Sequence, residues 1–487
     1  MLNLISDPWI PVVRKDRTRL VIAPWQMADD TLDFPDWPRP DLNIACLELL
    51  IGLVFLADPP RDAVDWRARR NPDPNRLRAA LEPFAPAFEL MGDGPRFMQD
   101  LEQFEVGVRD PNSPDMLFID SAGGQTVKNN ADLLVRRDRY PVLPPELAAM
   151  ALFTLQAHAP SGGAGNRTSM RGGGPMVTLV DPGGGLWSLV WANTPYGPPG
   201  DAASLPWMRA TRSSSQGQQV FADQVPAAEA FFGMPRRLRM VPNEEGVAGV
   251  VQRPYGANYA GWVHPLTPYY RMKPGAELLP KHPRAGAFGY RNWLGVVARR
   301  ASRDGLAERA AVVDLWDQRS RQQAEVLVAG WAMDNMKPRD FTFSRAPLID
   351  LPDELTDRLD GMVSAAELLA AALRGALAPV LAEGEAREAA REAFYLQTQA
   401  SFEARLAALA EEDTPRGWLG DLRAAALAIF DGNALPGLAD RDTRDQAAIV
   451  GARRNLTATF AGYGKLGQGA WRALGLTPPE RKKERAA

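Results

Sequence analysis

Residues 351–377 read LPDELTDRLDGMVSAAELLAAALRGAL, and this stretch decides how the chain divides. Leu355, Leu359, Met362, Ala366, Leu369, Leu373 and Leu377 recur at spacings of three and four, which places them on one face of a helix. Upstream, Pro and Gly interrupt the sequence throughout. Downstream of Leu351-Pro352 proline becomes scarce and Ala and Leu dominate, so a domain boundary falls here. Three more helical stretches follow: Glu385–Ala410 (Tyr395, Phe402, Leu406, Leu409), Gly417–Phe430 (Leu419, Leu422, Ala426, Ile429) and Asp440–Tyr463 (Ile449, Leu456, Phe460, Tyr463). Short Gly/Pro/Asp connections favour antiparallel neighbours, and a four-helix bundle over 353–476 is the economical arrangement, with 477–487 a flexible tail. Its charge is uneven: 353–413 carries 13 acidic and 5 basic side chains, 414–476 carries 5 acidic and 8 basic. One side can face a polyanion, although a solvated surface with scattered charge has the same composition.

Residues 1–350 read as a mixed α/β domain with many loops, so the fold class is α+β followed by an all-α bundle. Short apolar runs (Leu20–Trp25, Met176–Val180, Leu186–Ala192) alternate with helical periodicity at Asn43–Leu56, Pro144–His158 and Tyr290–Arg303. Arg209–Gln219 has no apolar face and reads as a mobile surface loop. The whole chain, 487 residues with 45% hydrophobic and 24% charged, is composed as packed domains, not as a disordered chain. Its net charge of −3 gives no bulk signal for nucleic acid, so any such signal is regional. Cys46 is the single cysteine, set in an apolar run as a small buried thiol, and His158, His264 and His282 are too scattered for a zinc site. Neither a targeting segment nor a membrane span is read, which makes the cytoplasm the expected location.

Three features carry chemistry. The densest is 160–175, Pro-Ser-Gly-Gly-Ala-Gly-Asn-Arg-Thr-Ser-Met-Arg-Gly-Gly-Gly-Pro, with six glycines and two arginines ahead of the strand-like Met176–Val180. Glycines let a backbone approach a partner closely, and exposed amides with Arg suit phosphate or a groove edge. A plain hairpin loop has the same composition, and a nucleotide P-loop is a poor match because no Gly-Lys-Ser/Thr follows. The second is His264–Arg300, where Arg271, Lys273, Lys281, Arg284, Arg291, Arg299 and Arg300 face one acid, Glu277, among Tyr269, Tyr270, Tyr290 and Trp293. Upstream stands Pro235-Arg236-Arg237-Leu238-Arg239. Basic and aromatic side chains together suit a nucleic-acid surface, the charges for phosphates and the rings for stacking or packing, although charge over an aromatic core looks alike. The third is Met333-Asp334-Asn335-Met336-Lys337, a projecting turn able to hydrogen-bond to bases or wedge between them. No His-Glu-x-x-His motif or His-Asp pair occurs, so nothing argues for an enzyme, a cofactor or a metal.

Taken together these motifs resemble the CasA family, the large subunit of the type I-E CRISPR surveillance complex Cascade. The matching pieces are Asn3-Leu4-Ile5-Ser6-Asp7-Pro8-Trp9-Ile10-Pro11-Val12, Arg171-Gly172-Gly173-Gly174-Pro175, Phe232-Gly233-Met234-Pro235-Arg236-Arg237, His264-Pro265-Leu266-Thr267-Pro268-Tyr269-Tyr270-Arg271 and Met333–Lys337. They span residues 3 to 339 in order, and the helical region fits that family's terminal bundle. The resemblance implies a non-enzymatic subunit at the crRNA 5′ end of the complex, alongside other Cascade subunits. It reads the protospacer-adjacent motif (PAM) of double-stranded DNA from the minor groove, helps start strand separation and R-loop formation, and recruits the helicase-nuclease. Carried over by position, the PAM-facing loop falls on Gly162, Gly163, Gly165, Asn166 and Arg167. The minor-groove lysine falls on Lys273, with Arg271 as the rival. The strand-separating wedge falls on Asp334, Asn335 and Met336, Asn335 standing where some relatives have glutamine. The docking loop falls on about Phe118–Asp132, with Phe118 as anchor and Lys128, Asn129 and Asn130 as polar partners. The zinc cysteines of some relatives are absent. Two rival readings stand beside this one: a nucleotide-binding enzyme using the Gly162–Gly165 loop, and a nucleic-acid scaffold without motif preference.

Overall fold

The computed structural model of the chain describes residues 2–102, 111–130, 132, 135–137, 139–163, 165–284, 286, 288–298, 307–320, 322–349 and 351–480. The chain folds as two compact units, the first made of Met1–Ala285 and Arg309–Leu348, the second of Gly286–Glu308 and Ile349–Ala487.

The first unit is organised around the helix Pro40–Ala57, in which sixteen of 18 residues are buried. An apolar sequence on every face can only be satisfied by burial on every face, and Pro40 supplies a preset φ where no intrahelical N–H bond is lost. By length and composition this helix could cross a membrane, but it is enclosed by the rest of its own unit. Cys46 lies on it, fully buried, and burial pushes its thiol up to about 12. The helix Pro145–His158 packs against it. Around this pair lie small antiparallel sheets: Ile10–Arg14 between Arg19–Ile22 and Leu32–Pro35, Arg237–Pro242 with Val247–Arg253, and Tyr269–Tyr270 with Leu279–Pro280.

The sheet that matters for function has Glu325–Asp334 at its centre, between Val177–Asp181 and Lys337–Pro347. Val326–Ala332 are all buried, whereas the outer strand is largely exposed. The two long strands are joined by Asn335 (φ 49°) and Met336 (φ 62°), with Asp334 paired to Lys337. Left-handed backbone at both central positions is the turn whose twist matches that of the flanking strands.

Several local expectations give way. Leu186–Ala192 is a helix, since its Trp187, Leu189, Val190 and Trp191 are covered together. The 209–219 segment is pinned: Arg209 pairs with Glu229 at 2.5 Å, and the buried Ser214 hydroxyl donates to the Gly256 carbonyl at 2.8 Å. The helical period at Tyr290–Arg303 yields only a single 3₁₀ turn, Tyr290–Asn292, and Arg299–Arg303 lie outside the described residues.

The second unit contains five described helices: Asp353–Ala376, Glu385–Ala407, Thr414–Ala434, Thr443–Phe460 and Gly464–Ala473. The expected stripe is its core, with Leu359, Met362, Ala366, Leu369, Leu373 and Leu377 all buried. The fifth helix lies beyond the expected four. It approaches the first so closely that a Cβ on Gly361 would stand 2.1 Å from the Ala473 carbonyl oxygen. At ten residues, three of them glycine, it is short and poor in helix formers, which hides it from a reading by propensity. The 286–308 segment contributes aromatic core to this unit: Tyr290 stacks on Phe402 at 4.3 Å, meets Trp418 edge-on at 5.5 Å, and shares a 2.9 Å hydrogen bond with the Thr398 hydroxyl. Trp293 meets Phe402 edge-on at 5.4 Å. Of the two roles the sequence left open for these rings, stacking or packing, the structure shows packing.

We expect Trp293→Ala to destabilise the protein by about 3–5 kcal/mol in denaturant unfolding, the usual cost of emptying a buried aromatic site. A cost below about 1 kcal/mol, as for an exposed ring, would refute the core role.

Candidate nucleic-acid interface

The glycine-rich loop connects Pro145–His158 to Val177–Asp181 and is fixed from beneath by one of its own arginines. Arg171 is 2% exposed, and its Nη1 lies 2.7 Å from Glu48 Oε2 on the core helix. Glu48 Oε1 lies 2.7 Å from His158 Nε2. Arg171 also donates to the Thr267 hydroxyl and the Ala157 carbonyl, both at 3.3 Å. Burial alone would raise the Glu48 carboxyl, but the charges of Arg171 and His158 overcome it and hold the group down at about 2. Burial drives nearby His264 well below the ordinary imidazole value, and the Arg171 charge adds to this. Arg171 is therefore an internal anchor.

Beyond the anchor the loop is closed on itself. Gly162 N–H donates to the Asn166 carbonyl (3.3 Å) and Asn166 N–H to the Gly163 carbonyl (2.7 Å). Asn166 Oδ1 accepts from Gln252 at 3.1 Å. Gly163 (φ 65°) has open space where a side chain would be, while Gly165 (φ 80°) lies flat under the ring of Tyr255, whose N–H donates to the Gly165 carbonyl at 2.9 Å. Arg167 is not a free charge: its guanidinium donates to the Ser214 hydroxyl (2.8 Å) and carbonyl (3.2 Å). Arg236 lies beneath Gly162 and donates to the Pro160 carbonyl. Tyr255 and Arg236 were not singled out as site residues by the sequence. Tyr255 is a non-glycine residue at φ 66°, and no local pattern announces that conformation.

The second half of the loop meets the long hairpin. A Cβ on Gly173 would stand 3.0 Å from Met336 Sδ, and one on Gly174 would stand 2.7 Å from the Trp331 carbonyl oxygen. Asp334, Asn335 and Met336 thus sit at an exposed tip (Met336 46% exposed) that rests on the triple glycine. Asp334 is tied to Arg339 at 2.9 Å and receives the Asn335 amide at 3.0 Å. The exposed ring of His282 joins the same edge through Nδ1, 3.2 Å from the Gly174 carbonyl.

Lys273 lies in the exposed turn between Tyr269–Tyr270 and Leu279–Pro280. Arg271 spends its Nε on the Ala276 carbonyl at 3.0 Å, bracing that turn. This strand pair reaches the glycine loop through the Met176 N–H, which donates to the Lys281 carbonyl at 3.0 Å. Much of the remaining basic sequence is internal wiring. Arg237 pairs with Asp100 (2.5 Å) and Glu102 (2.7 Å), Arg239 donates to the Asp100 carbonyl, and Tyr269 is buried with its hydroxyl accepting from His264 N–H. Within the second unit Arg291 pairs with Glu392.

The expected docking loop is placed differently from its reading. Phe118 is 2% exposed, stacked on Tyr140 at 4.8 Å, with the guanidiniums of Arg39 and Arg139 5.0 and 5.3 Å from its ring centre. Both arginines bind Asp120. The ring faces inward because two cations and an aromatic neighbour enclose it, so Phe118 holds the loop and does not project from it. Lys128, Asn129 and Asn130 are exposed at the end of the Gly124–Lys128 turn, with Asn130 Oδ1 accepting from Arg137 at 2.9 Å; Ala131 lies outside the described residues.

Over residues 3–429 the sequence matches the family model described as CRISPR-associated protein Cse1. The fold is similar to Thermobifida fusca Cse1 (TM-score 0.70, 17% identity, 97% of this chain and 98% of that one). It is similar also to Cse1 from Acidimicrobium ferrooxidans (TM-score 0.67, 20% identity, 98% and 99%). A chain of a solved CRISPR RNA-guided surveillance complex superposes at TM-score 0.73 with 16% identity over 94% of this chain and 99% of that one.

Glu48→Gln should cost about 3–5 kcal/mol, because it strands the buried Arg171 charge. In the wild type the folded carboxyl titrates at about 2, below its ordinary 4.5. The pair's stabilisation is therefore complete above the ordinary value and is lost as pH falls toward 2. Urea unfolding of both proteins across that range checks this. A wild-type and variant difference that does not shrink on acidification would contradict the assignment.

Proposed function

This chain belongs to the CRISPR-associated Cse1 family, and from that premise we propose that it is the large, non-catalytic subunit of a type I-E Cascade complex, acting in the cytoplasm as its sensor of the PAM in target DNA. The observation that carries the reading is the seat of the Asn335–Met336 tip on Gly173, which sets a protruding polar and apolar turn beside slim, glycine-built backbone. The minor groove is about 6 Å wide and presents a degenerate pattern, so backbone and one long cation can enter where a helix cannot. Gly162, Gly163, Gly165 and Asn166 supply that backbone, and Lys273 supplies the charge. Asn335 and Met336 then wedge the first base-pair steps. Unstacking costs a few kcal/mol, which the inserted side chains offset until guide pairing takes over. The exposed Lys128, Asn129 and Asn130 face the crRNA 5′ end and neighbouring subunits, and the DNA-bound assembly recruits the helicase-nuclease.

The nucleotide-enzyme reading is disfavoured because the glycine loop leads into the strand Val177–Asp181, and no helix N-terminus follows it to receive phosphates. A scaffold without motif preference predicts equal binding of duplexes with and without a PAM. Target binding by the reconstituted complex across a randomised PAM library, with and without this chain, separates these readings.

Lys273→Ala should lower the slope of log affinity against log salt by about one if it neutralises one phosphate, measured by duplex titration. Replacing Asn335 and Met336 together with alanine should impair duplex opening, followed by a fluorescent base at the first steps, more than initial duplex engagement. Equal losses in the two assays would remove the wedge role.

A further inference from the structure

Building on the interface reading above, we propose that Arg236 and Gly162 form a site for a single phosphate oxygen of the DNA backbone, with the guanidinium as the charge and the missing side chain as the space that holds it against the exposed loop. Arg236 is 6% exposed, yet among the described residues no carboxylate pairs with it. Its Nη2 donates to the Pro160 carbonyl, and its Nε is buried without a partner. Burial, with no opposing charge, pushes the group down to about 10. The other buried arginines near the loop are treated differently: Arg171 has Glu48 and Arg237 has Asp100 and Glu102. A desolvated cation without a counter-charge is costly, and an incoming anion would complete it.

Access comes from the residue above it. A Cβ on Gly162 would stand 2.6 Å from Arg236 Nη1 and 3.1 Å from Nη2, with Asn166 Cβ bounding the other side at 2.8 Å. At that distance a side chain would drive the guanidinium from its place, so glycine is what allows the donor to lie directly against this exposed stretch of backbone. Gly162 is itself exposed, and its neighbour Gly163 has open space about it. A planar fork lying against exposed glycine backbone suits a phosphate oxygen on a groove wall.

The test uses the RNA-guided complex reconstituted with the wild-type chain, Gly162→Ala, Arg236→Gln or Arg236→Lys, and a PAM-bearing duplex titrated at several salt concentrations. Loss of one phosphate contact lowers the salt slope by about 0.9, equivalent to about a fivefold weakening near 0.15 M salt. Gly162→Ala, which keeps the charge but displaces the guanidinium, and Arg236→Gln should show this same change, and Arg236→Lys should keep the slope. In a duplex scanned with single neutral methylphosphonates, one position should weaken wild-type binding and have no effect with Gly162→Ala. An unchanged slope in Gly162→Ala overturns the proposal even if Arg236→Gln fails to fold. Competition by inorganic phosphate or ATP beyond the effect of their ionic strength would assign the site to a free phosphate and likewise overturn it. If the wild-type complex binds PAM and scrambled duplexes equally, the interface reading falls instead, and the slope comparison still decides the phosphate site.

Discussion

The buried pair between Glu48 and Arg171 is the constraint on which the first unit's surface depends. A loop with six glycines has high conformational entropy when free, so a defined shape at its tip requires a fixed point within it. Arg171 supplies one by placing its charge where only the Glu48 carboxylate can satisfy it, on the helix that forms the core. Such pairs add little net stability against an apolar replacement, but they are severe against any arrangement that separates the partners. The same charge that would attract a polyanion at the surface is spent here on specifying geometry.

The hairpin tip carries a complementary constraint. A two-residue connection of the type I′ form seen here has left-handed backbone at both central positions. Asn tolerates that conformation through its short polar side chain, whereas for an unbranched apolar residue it costs about 1–2 kcal/mol. Met336 occupies it while half exposed, and its sulfur lies over Gly173. Neither strand propensity nor burial explains a methionine there. Contact with the triple glycine does, and it ties the tip's position to the anchored loop.

How far the sequence could be read followed from whether the signal was local. The stripe from Leu359 to Leu377 was legible because a helix buries one face at a fixed period, and every one of those residues is in the core. The fifth helix, Gly464–Ala473, was not, because it is short and its glycines, which permit close packing, are poor helix formers. The glycine loop and the turn at Asn335 were visible as composition, but their juxtaposition depends on pairing Val177–Asp181 with Glu325–Asp334 across about 150 residues, which no periodicity encodes. The sequence left Tyr290 and Trp293 open between stacking and packing, and did not show that Phe118 faces inward, for a related reason. An aromatic beside basic residues has the same local sequence whether the arginines cover it or a nucleic acid does, and only the partners Tyr140 and Phe402 distinguish the two.

Counting basic residues therefore locates a binding surface poorly in this chain. Arg171, Arg237, Arg291 and Arg309 are each matched to a specific acid, and Arg167 is committed to Ser214. Each matched pair contributes almost nothing to the long-range field, since its two charges cancel within a few ångströms. What a polyanion encounters is the remainder after pairing, which includes the exposed Lys128, Lys273, Arg284 and Lys337, with Arg236 held beneath a glycine. On the proposed reading, a surface whose arginines are largely spent on pairing leaves discrimination between duplexes to fit and deformability as much as to attraction. A surface built this way can release a duplex lacking the right shape at little cost, which a uniformly basic face could not.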